Sequence, residues 1–233
     1  MSEAPRTLML FAAGKGTRMA PLTEHTPKPL IKVGRRTLLD RALDLAWDGG
    51  ATRIVVNTHH LGSKIVQHLA GERHQGRDIA VSDEAEALLE TGGGLKKALP
   101  LLGDGPVITL NPDVVWTGAN PIAALRAAWD PSRMDALLAL VPMRVALGRL
   151  GGGDFALDAS SGVITRKGPF VYGGAQIIKT SRLAEIADQA FSLNRLWDLI
   201  LSQNRAFGLV HQGSWCDVGR PDCISKAEEL LYG

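Results

Sequence analysis

The sequence predicts an α/β protein, a Rossmann-like doubly wound mixed sheet with a small antiparallel lobe. Three observations lead there. Through residues 7–141, short apolar runs of strand length alternate with amphipathic segments of helix length, the order that builds a mostly parallel sheet with helices on its faces. Between residues 154 and 179 three β-like runs, DFALD, GVIT and FVYGGAQII, follow one another without an intervening helix. That predicts antiparallel strands hooked onto the same sheet as a lid or second lobe. Finally, the chain of 233 residues is 45% hydrophobic and 21% charged, the balance of a globular chain able to bury a sizeable core in one large α/β domain or two small ones.

Each element has its own signal. Residues 7–13 (TLMLFAA) are a continuous apolar run ended by Gly14, the pattern of a strand buried on both faces. Thr37 can cap a helix in which Leu38, Leu39, Ala42, Leu43, Ala46 and Trp47 recur at helical spacing, and Gly49 and Gly50 end it. The alternation continues with a strand over 53–57, a helix over 63–70, a strand over 79–81, a helix after Gly94, a strand over 106–110, a helix over 121–129 and a strand over 136–141. Beyond the antiparallel runs, helices over 181–188 and 194–203, a strand over 206–211 and an amphipathic helix over 221–231 complete the chain. No repeat, linker or low-complexity tract interrupts it.

Charge and cysteine content exclude several roles. Lys and Arg number 26 against 24 Asp and Glu, a formal charge of +2 spread along the chain. That balance argues against nucleic acid or an anionic membrane as partner, so any anion must be held locally. Cys216 and Cys223 form neither a disulfide framework nor the paired thiols of a zinc site, which predicts a reducing, cytoplasmic setting. The start, with Ser2, Glu3, Ala4 and Pro5 before the first apolar run, has no basic leader, and no stretch approaches ~18 apolar residues. No export signal or membrane span is expected.

The segment AAGKGTRM, Ala12 to Met19, is the first with chemistry in it. A Walker A loop needs GxxxxGK[ST], which the chain never supplies. A dinucleotide fingerprint needs glycine where Met19 stands and an acid about 20 residues on, and Asp40 falls inside the expected helix. What remains is a strand, a flexible turn able to bring N–H groups to phosphate, and then Arg18 and Lys28 close behind. Pro21, Pro27 and Pro29 restrict the segment around Lys28, which lowers the entropic cost of positioning that lysine.

The run LFAAGKGTRMAPLTEHTPKPL, Leu10 to Leu30, resembles the signature of the sugar-1-phosphate nucleotidyltransferases. The resemblance continues through residues 53–57, LETGGG at 89–94, Asp113 at the end of the next central strand and WCDVG at 215–219, so it spans essentially the whole chain. It implies a glycosyltransferase A-like nucleotidyltransferase fold in one domain over residues 1–233, with 1–118 as the nucleotide half and 119–233 as the sugar half. It also implies the reaction of a nucleoside triphosphate with a sugar 1-phosphate, giving a nucleotide sugar and pyrophosphate. Within the family, LLETGGGLKKALPLLGDGP, GGGDF and FSLNRLWDLI look most like the uridylyltransferases that act on N-acetylmuramate 1-phosphate in peptidoglycan recycling. A guanylyltransferase acting on mannose 1-phosphate or a heptose 1-phosphate is the neighbouring reading, and a catalytically silent nucleotide-sugar sensor is the reading from a different class.

Chemistry of this kind needs no general base, because a phosphate monoester with a second pKa near ~6 is already largely dianionic at neutral pH. Catalysis must come from positioning and cationic stabilisation. The resemblance assigns that to Arg18 and Lys28 with Mg2+ held by Asp113 and Asp217. It places Ala12, Ala13, Gly14, Gly16 and Thr17 around the nucleotide, with Glu90, Thr91, Gly92 and Gly93 on the base side. Glu90 could suit uracil or guanine. Asn111 and Asp154 can bind sugar hydroxyls, Lys167 the sugar phosphate, and Arg195 a lactyl carboxylate, although Lys167 also reads as a surface lysine and Trp197 as core. Lys96, Lys97, His25 and His68 read as solvated-face residues. One departure stands out: the family usually has a small residue between Asn111 and Asp113, and this chain has Pro112, which lacks a backbone N–H. The expected partners are small molecules alone, with the oligomeric state left open, and the signature leaves no room for the second domain of bifunctional relatives.

Overall fold

The computed structural model describes residues 4–233. Residues 1–3, part of the N-terminal stretch read above, lie outside the described residues. At the centre, β1 (Thr7–Phe11) buries Leu8 and Leu10 on one face of the sheet and Met9 on the other. A continuous apolar run is therefore what the position demands. The chain then makes a small hairpin, β2 (Lys32–Val33) and β3 (Arg36–Thr37), which delivers Thr37 to cap α1 (Leu38–Asp48) by accepting a hydrogen bond from Asp40 N at 3.0 Å.

Strand β4 (Arg53–Thr58) lies parallel to β1, and after α2 (Gly62–Leu69) strand β5 (Ile79–Asp83) lies parallel to β4. Next come α3 (Glu90–Leu102) and β6 (Pro106–Leu110), which pairs with the other side of β1. The order β6-β1-β4-β5 reverses direction at β1, so the connections leaving β1 and β6 part from each other and open a crevice at the carboxyl ends of the strands.

The following short strand β7 (Val114–Trp116), helix α4 (Pro121–Ala128), capped by Asn120, and β8 (Ala136–Pro142) lead through β9 (Ala146–Leu147) into the antiparallel part. There β10 (Phe155–Leu157), β11 (Ile164–Arg166) and the long β12 (Phe170–Lys179) pair antiparallel, as the three runs predicted. Residues 175–179 of β12 lie between β6 and β8, while 170–172 pair with β8 and β10. A bulge between Tyr172 and Gln176 makes the change of register, with Gly174 at φ +95°. Helix α5 (Asn194–Leu201), strand β13 (Ala206–Val210), strand β14 (Trp215–Asp217) and helix α6 (Asp222–Tyr232) finish the chain. β14 joins β7 and β9 in a separate three-stranded sheet.

The main sheet separates two apolar clusters. One gathers α1, α4 and Ile65 of α2 against Leu8, Ile54, Ile108 and Ile177, and the other gathers α3 and α5 against Met9, Val55, Leu138 and Ile178. Two expectations about helices differ from what forms. The helix expected after Gly94 begins at Glu90, so Gly92, Gly93 and Gly94 lie inside it despite their poor helix propensity. The helix expected over 181–188 is only a 3₁₀ turn, Ser181–Glu185. Both have one cause: the segment after that turn runs across the start of α3, where Phe191 O accepts from Gly92 N at 2.8 Å and Gly93 N at 3.1 Å. A Cβ on Gly92 would come within 2.4 Å of the Phe191 ring, and one on Gly93 within 2.1 Å of Gln189 O.

A buried polar chain ties α5 to the sheet. Trp197 Nε1 donates to Gln176 Oε1 at 2.8 Å, and Gln176 Nε2 donates to Thr109 Oγ1 at 3.1 Å. Gln176→Leu deletes the acceptor and leaves the buried Trp197 N–H unpaired, worth roughly 1–3 kcal/mol. Denaturant unfolding should show a loss of about 1–3 kcal/mol, with the midpoint lowered and the slope unchanged.

Candidate active site

The crevice contains two adjoining cavities, of about 420 and 310 Å3, which share Phe11, Thr91, Asn111, Asp113 and Ser192. The first lies over the turn after β1. Ala12 N donates to Asn57 Oδ1 at 2.7 Å, Asn57 Nδ2 donates to Glu84 Oε1 at 2.7 Å, and Glu84 Oε2 accepts from Leu89 N at 3.2 Å. Glu84 is 0% exposed, so this network is what satisfies a carboxyl taken out of water. It also explains Gly94, where a Cβ would stand 2.6 Å from Glu84 Oε1. The turn itself needs Gly16, whose φ of +64° lies in the left-handed region and whose missing Cβ would meet Lys28 Cβ at 2.9 Å.

Ala12, Ala13, Gly14, Lys28, Glu90, Thr91 and Pro112 line this first cavity, whereas Gly16 and Thr17 lie outside its wall. Gly92 and Gly93 are not brought to it either. Their N–H groups and missing side chains are used to seat the 189–191 segment rather than to face a base. Glu90 begins α3 with φ +59°, an uncommon conformation for a residue bearing a side chain.

The second cavity holds the charged groups. Asp113 leaves β6 at its carboxyl end and Asp217 ends β14. The antiparallel pairing of β7 with β14 brings them together, and Val218 N donates to Asp113 O at 2.9 Å. Lys28 Nζ lies 2.5 Å from Asp113 Oδ2. Arg18 lines the same cavity, and a Cβ on Gly219 would be 3.0 Å from Asp217 Oδ1 and 3.4 Å from Arg18 Nη1. Burial pushes the Asp217 carboxyl above the usual carboxylate range, and the charge on Asp113 pushes it further, with Lys28, Arg18 and Arg149 partly opposing. Two close carboxylates, one of them destabilised by the other, form a hard-oxygen donor pair suited to a divalent cation such as Mg2+.

Further along this cavity stand Asn111, Asp154, Tyr172 and Trp197 with two arginines that the sequence reading did not single out. Arg149 Nη2 donates to Asp154 Oδ1 at 2.6 Å, and its buried Nε has no hydrogen-bond partner. Arg166 pairs with Asp198 at 2.7 Å and lies over the rings of Phe155 and Trp197, 5.2 and 5.5 Å from their centroids. Lys167 and Arg195 are not brought to either cavity. Lys167 is the next residue in the chain but lies beyond the end of β11 at φ +63°, and the exposed Arg195 pairs with Asp188. In hindsight, GRLGGGDF at 148–155 was the available signal for Arg149. Glu84 had none, because nothing in DEAEALLE sets it apart from Asp83, Glu86 and Glu90.

Crevice, glycine turn, cationic lysine and paired carboxylates together make a site whose charges suit a phosphorylated ligand. The nucleotidyl transferase family model matches residues 7–147, and the chain belongs to that family, as the sequence resemblance implied. It is 40% identical over 99% of its length to the N-acetylmuramate alpha-1-phosphate uridylyltransferase of Caulobacter vibrioides, covering 99% of that protein. It is 35% identical to the protein of the same name from Neisseria meningitidis serogroup B, over 95% of this chain and 96% of that one. Among solved structures, a UDP-glucose pyrophosphorylase complexed with UDP-glucose aligns over 98% of each chain with a TM-score of 0.81 at 14% identity. HddC from Yersinia pseudotuberculosis complexed with GMP-PN aligns over 97% of this chain and 99% of that one with a TM-score of 0.75 at 20% identity. These two share the fold, a mixed α/β sheet of the glycosyltransferase A-like type.

The raised carboxyl of Asp217 has a thermodynamic consequence. A group whose pKa is higher folded than unfolded stabilises the fold at low pH and loses that contribution as pH rises through its folded value. In metal-free protein, Asp217→Asn should therefore raise the melting temperature at neutral pH. The gain should vanish below the ordinary carboxylate range, near pH ~3, where both forms are neutral; melts of both proteins across pH test it.

Proposed function

We propose that this protein transfers UMP from UTP to N-acetylmuramate 1-phosphate, releasing UDP-N-acetylmuramate and pyrophosphate, and that it does so in the cytoplasm during peptidoglycan recycling. The observation that carries this reading is the end-to-end similarity to two relatives that bear that activity in their names. The two halves divide the work. Residues 1–118 bind UTP and residues 119–233 bind the sugar, in keeping with a first cavity walled, apart from Ser192, by residues 11–113 and a second drawing on Arg149, Asp154, Arg166 and Trp197. Both cysteines are buried free thiols, and no helix among the described residues is long and apolar enough to cross a membrane.

In the reaction, an oxygen of the sugar phosphate forms a bond to the α-phosphorus of UTP. The bond from that phosphorus to the oxygen bridging the β-phosphate breaks, and pyrophosphate leaves with the electron pair. Asp113 and Asp217 would hold Mg2+, which would supply positive charge to the reacting phosphates. Arg18 and Lys28 stabilise charge on the α-phosphate and the departing pyrophosphate, an effect large in a crevice that excludes water. Lys28 leaves Asp113 for the phosphates when the substrate arrives. The backbone over Ala12 to Gly14 cradles the triphosphate, Glu90 and Thr91 border the base, and Asn111 spans both substrates.

For the sugar, the roles first expected of Lys167 and Arg195 pass to Arg149 and Arg166. Arg149 acts on Asp217 electrostatically, so it stands at the phosphate end, with Asp154 beside it for a hydroxyl. Arg166 lies at the Trp197 end, where a lactyl ether substituent would present its carboxylate.

Pyrophosphate release measured with UTP or GTP against the 1-phosphates of N-acetylmuramate, N-acetylglucosamine and mannose tests the activity. Turnover is expected with UTP and N-acetylmuramate 1-phosphate, and release with GTP alone would overturn the assignment. In the same assay Arg166→Ala should lower kcat/KM for N-acetylmuramate 1-phosphate about 10- to 100-fold, the value of one hydrogen bond between charged groups. N-Acetylglucosamine 1-phosphate, which lacks the lactyl group, should change less than about threefold.

A further inference from the structure

A second cluster of metal-ligating side chains lies apart from the crevice, on the face of the sheet covered by α1 and α2. Asp40 sits in the first turn of α1, His68 in the last turn of α2, and His74 in the 3₁₀ turn Glu72–His74 that follows. His68 Nε2 is 2.8 Å and His74 Nε2 3.1 Å from the same carboxylate oxygen, Asp40 Oδ1. The three ligand atoms all lie within 4.8 Å of one another. His68, which the sequence placed on a solvated face, is instead half-buried here.

His74 carries the second observation. Its side chain is 5% exposed, yet Nε2 makes no hydrogen bond: Oδ1 is near enough, but the N–H direction misses it. A buried imidazole nitrogen with no partner is costly. In a metal site ligand atoms aim at a common point rather than at one another; His74 Nε2 is left free for that, whereas His68 Nε2 meets Oδ1 in hydrogen-bond geometry.

We propose that Asp40, His68 and His74 bind a single zinc ion, with water as the fourth ligand. Two imidazoles and one carboxylate suit zinc and exclude magnesium or calcium, which take oxygen ligands. The His68 side chain is 28% exposed, which admits the ion and its water from that side. The backbone amide of Asp40 donates to Thr37 Oγ1, which fixes the carboxylate's position at the head of α1. Arg73 Nε lies 3.7 Å from Asp40 Oδ1 and weakens the site, but its guanidinium is held on Asp44, with Nη2 2.7 Å from both carboxylate oxygens. The ion joins α1, α2 and the following turn, a structural stitch that is independent of the nucleotidyl transfer reading.

The full-length protein, stripped with a chelator, is titrated with zinc by calorimetry and by thermal melting, and with cobalt by visible absorption. One zinc per chain, a melting temperature that rises with zinc as linkage requires, and the intense band of four-coordinate cobalt are expected. His68→Gln and His74→Gln should each weaken zinc at least about tenfold and abolish the cobalt band; His68→Gln, at the more exposed position, remains informative if His74→Gln does not fold. The double variant Asp113→Asn, Asp217→Asn should keep the site. The proposal fails if zinc uptake is the same in both histidine variants as in the unaltered protein. It also fails if uptake is lost only with Asp113 and Asp217, or if no zinc binds, which would leave a hydrogen-bonded clamp.

Discussion

A buried carboxyl governs the wall of the first cavity in this crevice. Glu84 has no access to solvent, and a carboxylate in that position is tolerable only when its oxygens are matched by donors. Asn57 and the backbone of Leu89 supply them, and Asn57 spends its remaining acceptor on the backbone of Ala12. One side chain thus connects the end of β1, the end of β4 and the approach to α3. The glycine turn cannot move without breaking bonds in the interior, and Gly94 must stay bare because the carboxyl occupies the space of its side chain. The glycine turn is held from behind, which leaves its outer face open to a ligand.

The second cavity works by charge rather than by burial of one group. Asp113 and Asp217 repel each other, and Arg18, Lys28 and Arg149 stand around them as partial compensation. A net charge of +2 over the whole chain conceals this concentration. Substrates carrying several negative charges need only a local field, and the crevice supplies it while leaving the rest of the surface near neutrality. Substrate phosphates and a divalent cation would together neutralise what the protein alone leaves unbalanced.

Comparison of expectation with outcome separates two kinds of residue. The glycine turn and Asp113 were legible because each lies just beyond the end of a strand whose apolar pattern is unmistakable, and Arg18 and Lys28 because they follow that turn in a segment restricted by Pro21, Pro27 and Pro29. Gly92 and Gly93 were misread as facing a ligand, because nothing local distinguishes a glycine that accommodates a ring from one that exposes its backbone. Arg195 was singled out for a lactyl carboxylate and Arg166 was not, although Arg166 is the one that lines the cavity. The choice turns on which face of α5 and which edge of β11 meet the cavity, and helical spacing leaves that open until the sheet is assembled.

Alternating runs, the doubly wound topology, the antiparallel insertion and the strand-end charges follow from the amino-acid order alone, since periodicity and turn residues act over a few positions. Tertiary structure alone decided the start of α3, the shortening of the 181–188 helix, the burial of Glu84, the meeting of Asp113 with Asp217 and the convergence of Asp40, His68 and His74. Each of those depends on at least one contact between groups 27 to 104 positions apart in the sequence. Only the packing of sheet against helix brings such groups within reach, and the free energy of that packing exceeds the local preferences it overrides.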